Sequence, residues 1–225
     1  MDEFYQTLYI TFKLAFLTTF FLFFIGLPVA YFLAYSRFKL KPVLEAIVSL
    51  PLVLPPTVLG FYLLLVFSPD SFLGSFVEKY LGLKLIFSFE GLVVASIIYS
   101  LPFMVHPIQS GFSSVPKSII EAAYTLGKSK LETLFKVILP NIKSSILTGL
   151  VLTFAHTIGE FGVVLMIGGS IPGETKVASI AIYEEVESLN YQQAHKYAFV
   201  LLLITFFVLL VVYTVNRNFL KADKL

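Results

Sequence analysis

The 225-residue chain has no cysteine and no tryptophan, only three histidines, and just 13% charged residues. Without cysteine, disulfides and thiolate metal sites are excluded. So little charge cannot cover a soluble domain of this length with a polar surface. The net charge of +2 is small, and the basic residues are dispersed between apolar blocks, so no nucleic-acid partner is expected. His106 stands apart from every other candidate ligand, and no metal site is expected. The sequence offers no nucleophile–base set, paired-carboxylate arrangement or histidine cluster, hence no catalytic residues and no enzyme activity of its own. It also has no low-complexity run and no internal repeat that would pair one half with the other. What is present is 57% hydrophobic residues, including 24 Phe and 12 Tyr, with a mean hydropathy of +0.88. This composition describes an all-α polytopic protein whose main surroundings are a lipid bilayer.

Crossing a bilayer core takes roughly 20 apolar residues. Five stretches qualify: about 8–35, 43–67, 91–109, 144–167 and 197–216, forming a single transmembrane domain over residues 1–225. The first block is too long for a signal h-region and begins beside Asp2 and Glu3 in place of a basic segment, so it is expected to remain as a membrane helix. Short cytoplasmic loops are enriched in Lys and Arg. Arg37, Lys39 and Lys41, then Lys117, Lys128, Lys130, Lys136 and Lys143, then Arg217, Lys221 and Lys224, all fall on one side of a five-span arrangement. Lys79, Lys84, Lys176 and Lys196 fall on the other side among acidic residues, with Lys13 positioned to snorkel outward. The N-terminus is therefore expected outside and the C-terminus in the cytoplasm.

Pro51, Pro55 and Pro56 each remove a backbone donor in the second span and predict a kink or local unwinding. Pro102 and Pro107 predict the same in the third. Between about 113 and 143 lies the most polar interval, amphipathic and helix-compatible, with Ile119, Ala123, Leu126, Leu131, Leu134, Phe135 and Ile138 interleaved with Lys and Glu. Two short helices hinged at Gly127 fit this pattern, since glycine accepts a left-handed cap, and Pro140 is expected to close the second. Gly127-Lys128-Ser129 looks like the end of a phosphate-binding loop, but that motif needs a glycine where Ala122 stands, and a preceding strand.

Glu121-Ala122-Ala123, Gly127 and Val137-Ile138-Leu139-Pro140 occur at the spacing of the EAA loop of bacterial and archaeal ABC importer permeases, which this segment resembles; Val137 in place of the usual Ile is the one departure. Two further stretches, Leu50 to Gly60 (LPLVLPPTVLG) and Ile158-Gly159-Glu160-Phe161-Gly162 with Ile167 to Thr175 (IGGSIPGET), are similar to the molybdate/tungstate (ModB-type) permease subunits; sulfate permeases are close relatives. The resemblance implies a type I ABC importer permease fold in the cell inner membrane, a homodimer, two ABC ATPase subunits on the cytoplasmic side and an extracytoplasmic oxyanion-binding protein. It also implies that Glu121, Ala122, Ala123, Gly127, Leu139 and Pro140 couple this chain to the ATPases. ATP and magnesium would be bound by those partners, and no cofactor by this chain. The alternatives are a permease for another oxyanion such as sulfate, or a secondary transporter needing no ATPase.

His156 and Glu160, four residues apart in the fourth span, are expected on one helix face, where ionisable groups point to a bundle interior or cavity. An ion pair acting as a gate suits them better than substrate contact by Glu160, since a carboxylate repels a dianion at low dielectric. Pro55, Pro56, Thr57, Ser100, Thr153 and Thr157, with Ser96, are further candidates to line a polar route, although such hydroxyls more often bond back to helices. Outside, Ile171 to Glu174 predicts a tight turn, followed by an amphipathic segment over 176–189 that offers a platform for a binding protein.

Overall fold

In a computed structural model, the backbone is described for residues 2–222 and side chains through Thr214. Arg217 and Lys221 in the basic tail have no described side chains, and Lys224 lies outside the described residues altogether. The described chain is helical, with no strands. Three helices cross without interruption: α1 (Glu3–Tyr35), α5 (Phe89–Ser114) and α12, described as a span over Tyr191–Thr214. Between α1 and α5 lie α2 (Lys41–Val53), α3 (Pro56–Phe67) and α4 (Phe72–Leu81). After α5 come α6 (Lys117–Thr125), α7 (Lys130–Thr133), a π-helical turn (Leu134–Ile138), α8 (Leu139–Asn141), α9 (Lys143–Gly159), α10 (Gly162–Gly168) and α11 (Ala178–Glu187).

The second span is a sharply bent pair. Leu54 and Pro55 are extended, α3 starts at Pro56, and the axes of α2 and α3 differ by 114°. Pro55 and Pro56 bring no N–H to the junction, so the bend sacrifices few hydrogen bonds. Pro51 lies inside α2 without breaking it. Pro102 and Pro107 depart from expectation: α5 runs unbroken through both. Each removes a single donor from a 26-residue helix, and packing of α1, α9 and α10 on three sides holds the rest in register. The fourth span departs further. Its 144–167 stretch is interrupted at Glu160-Phe161, between α9 and α10.

Helix α5 forms the axis of the subunit. Its outer half packs with α1, α3 and α10 through Ile10, Leu14, Leu63, Leu92, Tyr99 and Val163. Its inner half packs with α1, α2 and α9 through Leu22, Leu33, Val48, Met104, Ile108 and Ile142. Gly26 and Gly149 admit Met104 closely from two sides; at Gly26 an added Cβ would lie 2.6 Å from the Met104 side chain. Small residues at crossings let membrane helices approach to van der Waals contact, the main attraction available where lipid is as apolar as leucine. α12 packs on α11 and α9 at the edge. Phe16, Phe20, Phe24, Leu202, Phe206 and Phe207 project outward, as suits lipid contact.

α4 was not legible in advance. Ser71 caps it by accepting a hydrogen bond from Gly74 N–H at 2.8 Å, and Gly82 ends it in the left-handed region at φ +66°. Together these make a ten-residue helix on the face opposite the polar 113–143 interval.

Candidate functional site

Three regions carry the polar chemistry: the α6–α8 segment, a hydroxyl–imidazole cluster at mid-membrane, and an anchored helix on the opposite face. In the first, Gly127 adopts φ +76°, and Gly127 N–H and Lys128 N–H close the end of α6 onto the Tyr124 and Ala123 carbonyls at 2.9 and 3.1 Å. A residue with Cβ would be strained there. Ser129 and Glu132 then form a reciprocal capping box that starts α7, and Lys128 and Lys136 flank the Glu132 carboxylate at 3.6 and 3.2 Å.

Beyond that point the second helix runs continuously over Lys130–Asn141, with the π-helical turn between α7 and α8. It ends one residue after Pro140, and the axis turns by 71° at Ile142 before α9. Glu121 and Ala122 are exposed on α6, but Ala123 is 6% exposed and packs inward, so Ala122 alone of the two presents a shallow surface. Leu139 is half-buried. The exposed face carries large apolar side chains that the sequence suggested only as amphipathic: Leu126, Leu131 and Phe135 are 79%, 68% and 63% exposed. Glu121 forms no ion pair among the described residues. A free carboxylate beside protruding apolar groups has the composition of a protein-docking surface.

At mid-membrane, α5 and α9 bring Ser100, His156, Thr157 and Thr153 together. Ser100 Oγ lies 3.2 Å from His156 Nδ1 and 3.1 Å from Thr157 Oγ1, and Thr157 donates to the Thr153 carbonyl at 2.8 Å. Proton counting gives the chain a direction. With the Thr157 proton committed to Thr153, Ser100 must donate to Thr157, and His156 Nδ1–H must donate to Ser100. Nε2 then faces the Glu160 carboxylate at 4.0 Å, too far for a hydrogen bond. The imidazole is stacked on Phe103 with centroids 3.9 Å apart, and Tyr99 meets its edge. Thr153 Oγ1 is buried with no partner among the described residues. Ser96 is engaged elsewhere, donating to the Tyr99 hydroxyl at 2.9 Å.

Glu160 is not the next rung of the His156 face. Its ψ of 134° takes it out of the helix, and Oε1 accepts the Val163 N–H at 3.0 Å, capping α10. The break in α9–α10 meets the break in α2–α3. An added Cβ at Gly162 would lie 2.7 Å from Pro56 Cβ, so the absence of a side chain permits the approach. Pro55, Pro56 and Thr57 are exposed at this junction, and Thr57 takes no part in the hydrogen bonds of the hydroxyl cluster among the described residues.

Sequence reading missed the anchors of the far face. Thr175 donates to the Gly168 carbonyl and accepts from Ile171 N–H, fixing the expected turn, in which Glu174, Thr175 and Lys176 N–H converge on the Ile171 carbonyl. Ser179 of α11 donates to the Glu160 carbonyl at 2.8 Å, and Thr11 of α1 accepts the Ala178 N–H at 2.8 Å. α11 is thereby tied to the break. Lys176 bridges Glu3 at 2.9 Å and Glu184 at 2.8 Å. Burial alone would pull its ammonium pKa down, but hydrogen bonds to Glu184 and Glu3 outweigh that and raise it. Burial likewise opposes ionisation of Glu184, and the Lys176 bond reverses the effect, lowering its pKa. These partners lie up to 173 residues apart, and no local pattern announces them. Toward the other end of α5, Ser49 donates to the Glu45 carbonyl and so accepts from His106 Nε2–H at 3.1 Å, while Gln109 donates to Glu45 at 2.8 Å. His106 therefore holds α2 against α5.

Residues 26–222 match the family described as binding-protein-dependent transport system inner membrane component. The chain belongs to that family. It is 46% identical over 209 residues to the molybdenum transport system permease protein ModB of Azotobacter vinelandii, covering 92% of each chain. It is 36% identical over 202 residues to the probable sulfate transport system permease protein cysT of Zygnema circumcarinatum, covering 90% of this chain and 69% of that one. Among solved structures it resembles a subunit of a bacterial alginate ABC transporter in complex with an alginate pentasaccharide-bound periplasmic protein. That likeness has a TM-score of 0.76 at 18% identity, over 97% of this chain and 80% of the other. The shared fold is that of a type I ABC importer permease. Five spans result when each bent helix pair counts as one crossing.

Proposed function

We propose that this chain is the permease subunit of an ATP-driven importer of molybdate or tungstate, working as a homodimer by alternating access. The carrying observation is the α6–Gly127–α7 unit: a protruding surface with a free Glu121 and exposed Leu126, Leu131 and Phe135, in a chain 46% identical to a molybdenum permease. Two ATPase subunits dock there, bind ATP and magnesium, and move the segment; this chain binds neither and performs no covalent chemistry. The bend at Ile142 carries the movement to α9, and the facing breaks at Pro55-Pro56 and Glu160-Phe161 convert it into opening or closing of a route at the dimer axis. The unpartnered Thr153 hydroxyl supplies a neutral donor for an oxyanion, and the Ser100–Thr157 chain beside it offers further donors only once its own hydrogen bonds open during the movement. An extracytoplasmic binding protein delivers the anion to the α11 face. The N-terminus is outside and the basic loops are cytoplasmic. Sulfate is the second reading, favoured by the cysT likeness, which has lower identity and covers less of its relative.

The test is uptake of labelled molybdate into vesicles reconstituted with the permease, its ATPase and its binding protein. Wild type should accumulate molybdate only with ATP, and excess tungstate should compete while sulfate does not. Glu121→Lys and Gly127→Val should abolish uptake and binding-protein-stimulated ATP hydrolysis while the dimer survives. Normal uptake in both variants would refute the coupling role, and competition by sulfate but not tungstate would transfer the substrate.

A further inference from the structure

On the face opposite α6–α8, a cavity of about 390 Å³ opens between the outer part of α1, the start of α5 and the Ile171–Lys176 turn. Lys13, Glu90 and Glu174 line it, together with the Tyr9 hydroxyl and the Gln6 amide. None of the three charged groups is paired with an opposite charge among the described residues. The Gln6 and Tyr9 side chains make no hydrogen bond among those residues either. Lys13 Nζ rests 4.3 Å from the centre of the Phe89 ring. That contact holds the ammonium at the rim while leaving its donors free. One cation, two carboxylates, a phenol and an amide therefore converge on one space without satisfying one another.

Depth identifies the setting. α1 has 33 residues, about 50 Å at about 1.5 Å each, against a hydrocarbon core of about 30 Å. With Arg37, Lys39 and Lys41 marking the far boundary, roughly 20 residues counted back from Tyr35 reach Phe16. Lys13 lies about one turn beyond, at headgroup level. Tyr5, Tyr9 and Phe16 are exposed on the same stretch of helix, in keeping with the interfacial preference of aromatic residues.

We propose that this cavity binds the headgroup of an aminophospholipid in the leaflet opposite the coupling segment. Its phosphate lies against Lys13, with Tyr9 and Gln6 as neutral donors, and its primary ammonium lies between Glu90 and Glu174. A simple anion would meet two carboxylates, and a simple cation would meet Lys13. A zwitterion satisfies both signs at once. The primary ammonium has three N–H donors for acceptor-only carboxylates, whereas a trimethylated ammonium has none, so the site discriminates phosphatidylethanolamine from phosphatidylcholine. Because the cavity joins α1, α5 and the turn leading to α11, occupancy would brace the elements that hold the Glu160 break.

The test is lipid retention by the purified full-length chain, measured by native mass spectrometry after exchange into mixed vesicles of equal phosphatidylethanolamine, phosphatidylcholine and phosphatidylglycerol. Wild type should retain phosphatidylethanolamine about tenfold over phosphatidylcholine, the scale of charge-assisted hydrogen bonds. Joint replacement Glu90→Gln and Glu174→Gln should erase that preference. Lys13→Gln should weaken retention of phosphatidylethanolamine and phosphatidylcholine alike, and Lys13→Arg should restore it. Equal retention of the two zwitterionic lipids by wild type would overturn the proposal. So would full displacement by glycerophosphoethanolamine, which would mark a soluble-ligand site. Variants that keep the lipid preference but lose binding-protein affinity would also overturn it, reassigning the cavity to protein docking.

Discussion

At the level of single residues, the mid-membrane cluster shows how proton accounting refines a spacing argument. Four-residue spacing pairs His156 with Glu160, and the two do approach, but at 4.0 Å, while Ser100 holds Nδ1 at 3.2 Å. Glu160 is drawn away because its carboxylate and carbonyl are both engaged, by Val163 N–H and the Ser179 hydroxyl. The expected energetic partner of His156 is therefore Ser100. In double-mutant cycles on transport or thermal stability, His156→Ala with Ser100→Ala should show a coupling of about 1 kcal/mol, and His156→Ala with Glu160→Gln should be additive within about 0.5 kcal/mol. The reverse ranking would restore the ion-pair gate. Spacing could place His156 and Thr157 on α9, but not Ser100 beside them, since that contact crosses 56 residues.

Among elements, some of those marked by glycine and proline were readable, whereas α4 with its Ser71 and Gly82 caps, the unbroken run through Pro102 and Pro107, and the parts fixed by distant partners were not. Gly127, the Pro55-Pro56 break and the Ile171–Glu174 turn follow from local stereochemistry. The Glu160 break, inward-facing Ala123 and the anchoring of α11 arise from packing against chain far away in sequence. α11 responds to pH through Lys176 and Glu184. The lowered pKa of Glu184 means its contribution is complete above the ordinary carboxylate value of 4.5 and is lost as pH falls through the depressed value. The raised pKa of Lys176 means its contribution is complete below the ordinary 10.5 and is lost as pH climbs through the raised value. Between these limits the anchor should be insensitive to pH. Lys176→Gln should increase hydrogen exchange in α11 several-fold at pH 7, with little further change on acidification to about pH 3; wild type should loosen over that acid range. Equal acid loosening in both would show that other groups hold α11.

For the whole molecule, the sequence made five crossings legible, because they rest on a summed property, apolar length, while the distribution of Lys and Arg gives the sidedness as an expectation. The geometry adds two bent pairs, α2 with α3 by 114° and the Lys130–Asn141 helix with α9 by 71°, so the bundle sets unbroken α1, α5 and α12 around jointed elements. Such a division suits a machine in which force enters at one end and a passage opens at the middle, provided that α6–α8 and α11 lie on opposite sides of the membrane. The absence of cysteine allows this to be tested with single substitutions on an unaltered background. Cysteines at Ser75, on the exposed side of α4, and at Asp2, ahead of α1, should react with an impermeant maleimide added to intact cells. A cysteine at Ser129, in the exposed cap of α7, should react only after the membrane is opened. Labelling of Ser129→Cys in intact cells, with protection of the other two, would invert the orientation and place the proposed ATPase surface where no ATP is available.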